Sequence, residues 1–142
     1  MASQLQDMIA RLRQCHSSDE EIWFVCFPYE IESIFHNLIS NSYKSFKRGK
    51  TPDKEIDVSI KFNEGKVIIN YSDNGSGLLP EFKSNPDIIL RQMVTGDIVN
   101  GQKQGTGLGM WIVNNIVADY KGKIDLSKNI NSENGFYINI VM

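Results

Sequence analysis

Apolar residues in this chain recur at a helical period in some stretches and alternate in others, and the switches between the two divide the sequence into elements. Leu5, Met8, Ile9 and Leu12 fall at helical spacing, which predicts a short helix over Ala2–Cys15. His16 to Glu21 is a polar loop, and Ile22 to Phe27 (IWFVCF) reads as a buried strand. From Pro28 to about Arg48 the pattern is helical again. Pro28 suits a first turn, and Ile31, Phe35, Leu38, Ile39 and Phe46 share a face. Gly49, with Pro52 just beyond, is expected to end that helix.

The period then changes. Ile56, Val58, Ile60 and Phe62 alternate, Asn63-Glu64-Gly65 is a turn, and Lys66 to Tyr71 forms a second strand, so a hairpin is predicted. Residues 73 to 109 hold seven glycines and one helical stretch, around Pro86 to Met93. A glycine-punctuated segment of that length inside a compact domain is usually a functional loop. Gly107 to Tyr120 returns to helix. Lys123–Leu126 and Phe136–Met142 read as closing strands around the turn-rich residues 128–135.

Composition adds little to this pattern but closes off alternatives. With 142 residues the chain can bury one core. Its 41% hydrophobic content excludes a disordered chain. A net charge of -2 argues against a nucleic-acid binder, which usually carries a basic face. No apolar run reaches the ~20 residues a membrane span requires, and no signal-peptide pattern opens the sequence given. Cys15 and Cys26 are too few and too far apart for a metal knuckle, and read as reduced thiols of a cytoplasmic protein.

Three constellations carry candidate chemistry. Asn37, Asn41, Lys44 and Arg48 fall within roughly 60° of one helical stripe at about 100° per residue. Such a stripe is either a solvated face or a metal–phosphate edge, with carboxamide oxygen for Mg²⁺ and cations for phosphate. Asp73-Asn74-Gly75-Ser76-Gly77 follows a strand. Asp73 there either caps its own turn or offers a fixed carboxylate to an amino group at a pocket mouth. Gly105-Thr106-Gly107-Leu108-Gly109 opens a helix, whose free N–H groups and dipole favour a phosphate. It is neither a P-loop, lacking Gly-Lys-Ser/Thr, nor a dinucleotide fingerprint, since a loop and not a strand precedes it.

The order of the three is more specific than any one of them. It resembles the GHKL superfamily of ATPases, which includes gyrase B subunits, heat-shock chaperones, MutL-type repair proteins and histidine kinases. NLISNSYKSF (37–46) is similar to the N box, DNGSG (73–77) to the first glycine box and GTGLGMWIVNNIV (105–117) to the second. The resemblance runs from about Ile22 to the end. It divides the chain into an N-terminal helix and loop (1–21), read as a remnant of a dimerisation helix, and an ATP-binding domain (22–142). The fold implied is an α/β (α+β) two-layer sandwich, a mixed, mainly antiparallel sheet with helices on one face.

By similarity, Asn41 holds Mg²⁺, Lys44 touches phosphate, Asp73 binds the adenine amine with Gly75 and Gly77 giving backbone access, and Gly105, Thr106, Gly107, Leu108 and Gly109 wrap the triphosphate. Residues 79–104 become an ATP lid. Asn37 stands where hydrolytic branches carry a water-activating Glu, as it does in many histidine kinases. The resemblance therefore implies the catalytic domain of a histidine kinase, with ATP and Mg²⁺ as cofactors. The γ-phosphoryl group goes to a histidine on a separate dimerisation domain, and a response regulator follows. The setting is the cytoplasm, including the cytosolic part of a membrane-bound sensor.

Neither His16 nor His36 fits the phosphoacceptor pattern; His36 reads as a packed or hydrogen-bonded helix residue and His16 as a surface one. Glu30 reads as a solvated first-turn residue. The chain departs from the family at IILRQMVTG, where Leu90 and Met93 stand at positions often held by Phe, and at Phe136, where many members have Thr. Those departures motivate the alternative, a degenerate nucleotide-binding regulatory module without phosphotransfer. A hydrolytic clamp is the third possibility, and Asn37 counts against it.

Overall fold

The computed structural model describes residues 26–94, 98–99, 102–103, 106–130 and 132–142. The predicted helix Ala2–Cys15, the loop after it, most of the predicted strand at 22–27 and the expected boundary after residue 21 lie outside them. Of that strand Cys26 and Phe27 are described, and they form extended coil with Phe27 62% exposed, not a buried strand.

Helix α1 spans Pro28–Gly49. Proline fits its first turn because a helix leaves that N–H unbonded in any case. Glu30 lies in the first turn and Lys47 and Arg48 in the last, the arrangement the helix dipole favours. The helix stops at Gly49, as expected. It ends through Lys50, which takes the left-handed conformation with φ 49°. Gly49 serves a different need, since a Cβ there would stand 3.0 Å from the Cβ of Ser76.

Strands β1 (Ile56–Asn63) and β2 (Lys66–Asp73) form the predicted hairpin, in the register Asn63↔Lys66. Glu64 and Gly65 both have positive φ, as a two-residue turn matched to strand twist requires. Next come a short helix α2 (Pro80–Lys83), absent from the sequence expectation, and a 3-10 turn over Pro86–Leu90, shorter than the helix expected there. A small hairpin pairs β3 (Ile98–Val99) with β4 (Gln102–Lys103). Helix α3 spans Gly109–Asp119, and β5 (Lys123–Asp125) and β6 (Phe136–Val141) close the chain.

The main sheet has the order β1-β2-β6-β5. All its pairings are antiparallel, so the mixed sheet expected from the sequence is purely antiparallel among the described residues. Alternation sets its two faces. Val67, Ile69, Tyr71 and Asp73 of β2 point inward beside Phe136, Ile138 and Ile140 of β6. Against them lie Ile34, Phe35 and Leu38 of α1 and Met110, Val113, Ile116 and Val117 of α3. Each fully buried aliphatic side chain contributes about 1.5–3 kcal/mol. The opposite face carries a polar row, in which Asn139 donates to Asn70 at 2.8 Å and Asn70 to Ser59 at 3.3 Å. The two layers put both long helices on one face, leaving a cleft where the ends of β2 and β6 meet them.

Candidate functional site

The cleft encloses about 410 Å³. Asn37, Asn41 and Lys44 of α1, Asp73 at the end of β2, and Thr106, Gly107 and Gly109 at the start of α3 all line it. The three constellations, separated in sequence, therefore share one cavity. Gly77 also lines it, whereas Gly75 and Leu108 do not. Gly105 lies outside the described residues.

Asp73 is 6% exposed and fully engaged on its protein side. The Gly75 N–H donates to Oδ1 at 2.9 Å and the Ser42 hydroxyl to Oδ2 at 2.5 Å. It therefore caps its own turn, as one reading of the sequence has it, and also lines the cleft. Asn74 takes no part in the cavity. Its side chain accepts from the Glu55 N–H at 2.9 Å and donates to the Asp53 carbonyl at 2.7 Å, tying the loop to the start of β1. Beside Asp73, Phe136 pairs with it in register, and Ile89 and Met110 complete an apolar wall of a kind that suits a flat base.

On α1, the Asn37 Nδ2 donates back to the Ser33 carbonyl at 2.8 Å. Its Oδ1 is thereby turned toward α3, where a Cβ on Gly109 would approach it to 2.7 Å. Only glycine allows that contact between the two helices. Gly107 adopts φ +65°, and a Cβ there would meet the Met93 carbonyl carbon at 2.6 Å. The N-cap Leu108 offers no side-chain cap and the first turn holds no acid, so the positive end of α3 faces the cleft through Gly109 and Met110.

Arg48 departs from expectation. Read as part of the phosphate stripe, it lines the cleft but is committed to the glycine loop: Nε donates to Ser76 Oγ at 3.0 Å and a terminal nitrogen to the Gly77 carbonyl at 2.8 Å. Its position at the last turn of α1 brings it level with that loop and not with the middle of the cavity. Glu30 accepts a hydrogen bond from the Tyr120 hydroxyl, far along α1 from Asn37. The hydrogen bond to Glu30 is the main cause that raises the Tyr120 hydroxyl above its ordinary pKa. His36 is exposed and not packed, because it falls on the solvent side between Phe35 and Asn37. His16 lies outside the described residues.

Ser42, Ser45, Tyr71 and Ser76 belong to the site without standing out in the sequence. The first and third do leave a signal: Ser42 follows Leu38 by one turn on the apolar face, and Tyr71 occupies an inward strand position. A hydroxyl in either place needs a buried partner. Lys83 is likewise unmarked by any pattern; its ammonium donates to the carbonyls of Ser132 at 2.8 Å and Glu133 at 3.2 Å, fixing the start of the 79–104 stretch to the loop before β6.

Residues 28–141 match the family described as Histidine kinase-, DNA gyrase B-, and HSP90-like ATPase. The chain belongs to this family. A probable C4-dicarboxylate sensor kinase of Bacillus subtilis is 30% identical over 110 residues, covering 78% of this chain and 19% of that protein. The sensor protein SrrB of Staphylococcus aureus is 28% identical over 111 residues, 78% of this chain and 18% of its own length. The chain thus spans about a fifth of these relatives. Among solved structures, the mycobacterial sensor histidine kinase MprB superposes with a TM-score of 0.59 at 19% identity, covering 82% of this chain and 72% of that one. The catalytic domain of histidine kinase ThkA does so at 0.57 and 23%, covering 80% and 66%. The α+β fold is therefore that of histidine-kinase ATP-binding domains, and the chain is an ATP-binding domain of this type. Among the described residues no helix is long and apolar enough to cross a membrane.

Proposed function

We propose that this domain holds Mg-ATP in the cleft and presents the γ-phosphoryl group to a histidine on a separate dimerisation domain, as the catalytic part of a two-component sensor kinase in the cytoplasm. The observation that carries the reading is the convergence of the α1 stripe, Asp73 and the N-terminus of α3 on one cavity, with a carboxamide at position 37. Asp73 accepts the adenine amine. Lys44 and the N–H groups at the start of α3 receive the phosphates, with Gly105, Thr106 and Leu108 completing the turn that wraps them. Gly75 and Gly77 keep the first loop close to the base.

The donor set suits Mg²⁺. Among the described residues there is no cluster of three His, Cys, Asp or Glu, but Mg²⁺ bound with a nucleotide takes one or two protein oxygens and completes its shell from phosphates and water. Asn41 would supply that oxygen, and the metal would neutralise phosphate charge. Asn37 orients without removing a proton, because a carboxamide is too weak a base to activate water. That protects the phosphoryl group for another acceptor.

Calorimetric titration with a non-hydrolysable ATP analogue tests the reading. Binding in the micromolar range that weakens on chelating Mg²⁺, and that is lost in Asn41→Asp and Asp73→Ala while the fold persists, is the expected result. Unchanged affinity in both variants rejects the site. Phosphohistidine formed after rejoining the domain to a dimerisation domain separates the kinase from a nucleotide-binding regulatory module.

A further inference from the structure

The Asp73 carboxylate is not held by its own loop alone. Tyr71 Oη and Ser42 Oγ lie 2.7 Å apart, and Ser42 Oγ lies 2.5 Å from Asp73 Oδ2. A carboxylate only accepts, so the single hydroxyl hydrogen of Ser42 goes to Asp73. Ser42 Oγ then has no further hydrogen, and Tyr71 must donate to it. The direction of the relay is therefore fixed by proton count: Tyr71 to Ser42 to Asp73. Burial is the main cause that lifts the Tyr71 phenol well above its ordinary range; the Ser42 hydroxyl offsets part of this and the Asp73 charge adds to it, so Tyr71 stays a donor throughout the usual pH range.

All three groups are buried, Ser42 to 1% exposure and Tyr71 to 2%. They come from different elements, the middle of α1 and two inward positions of β2. Ser42 and Gly75 each occupy one acceptor direction on a different carboxylate oxygen, of the roughly four that a carboxylate has. Acceptor directions remain, and Asp73 lines the cleft.

We propose that Ser42, oriented by Tyr71, is a positioning residue that fixes the Asp73 carboxylate and so sets the preference for a base with an exocyclic amine. It rests on the assignment of Asp73 to adenine under the proposed function. A purely structural role for Ser42, satisfying the buried Tyr71 hydroxyl, predicts otherwise: its loss would lower stability and weaken binding of every nucleotide by the same factor.

The experiment compares ATP with purine riboside triphosphate, which is ATP with hydrogen in place of the 6-amino group, by calorimetry on the wild-type chain, Ser42→Ala, Tyr71→Phe and the double variant, each checked for folding by circular dichroism. The wild type is expected to prefer ATP. Ser42→Ala should lose about tenfold of that preference, the scale of one hydrogen bond to a charged group, with little change for the analogue. Tyr71→Phe should lose less. The double variant no longer buries an unsatisfied tyrosine, so its thermal stability should recover relative to Ser42→Ala while its discrimination stays low. A Ser42→Ala ratio equal to wild type overturns the proposal, as does an equal fall for both ligands or a recovery of discrimination in the double variant. A wild type that binds both ligands equally overturns the Asp73 assignment itself, and the inference with it.

Discussion

The two ends of the cleft are built on different physical terms. At the base end, Asp73 is buried and held by Ser42 and Gly75, and Tyr71 stands behind Ser42. At the end proposed for the phosphates, Lys44 and Thr106 are exposed, and the wall is formed by backbone at Gly107 and Gly109. The base end is preorganised, with its polar groups bonded to one another whether or not a nucleotide is there. The other end offers an exposed charge and backbone N–H groups at the start of a helix. Under the proposed function, recognition of the base rests on geometry prepared in folding, and recognition of the phosphates on electrostatics available at the surface.

That contrast can be broken most severely at the base end. Asp73→Ala removes the acceptor and strands the Ser42 hydroxyl and the Gly75 N–H in a buried site. We expect about 1–3 kcal/mol of lost stability, as for unsatisfied buried groups, read as a lower thermal midpoint, together with loss of nucleotide binding. At the other end, Gly107→Ala forces a side chain onto a φ of +65° and against the Met93 backbone. It should cost about 1–2 kcal/mol of stability and weaken ATP binding more than adenosine binding, measured by parallel titrations. The smallest structural effect belongs to Lys44→Ala. Stability should stay within about 0.5 kcal/mol, as for an exposed site, while affinity for ATP but not adenosine falls, and falls less at high salt because the lost attraction is screened. A salt-independent Lys44→Ala, or an equal loss for adenosine, would place the phosphates elsewhere.

The sequence is most legible where a period and a local rule agree. The β1–β2 hairpin follows from alternation plus a turn signal at Asn63-Glu64-Gly65, although Asn63 proves to be the last residue of β1, paired with Lys66. Helix α1 and the inward face of β2 are legible for the same reason, and the shared cleft is legible from the order of three motifs. The short helix Pro80–Lys83 is not, since four residues carry no periodic signal. Arg48 is misplaced because spacing gives its angle and height on the helix but not which loop lies at that height, and there it meets the glycine loop. The relay behind Asp73 is hidden for a further reason. It joins α1 to β2 across the layers, and no local pattern states which hydroxyl will face which strand.

Helix α1 gives that relay a mechanical meaning. Asn41 and Ser42 are consecutive, about 100° apart around one rod; Asn41 faces the open cleft, while Ser42 is turned into the core. Under the proposed assignments, one rigid turn sets both the oxygen offered to the metal and the hydroxyl that aims the base acceptor. A purine that seats badly against Asp73 cannot be corrected by an independent adjustment at the phosphates, because the two reference points share a backbone. Discrimination among nucleotides is then expressed as placement of the reacting phosphorus as well as tightness of binding, and accuracy at one end of the ligand becomes accuracy at the other.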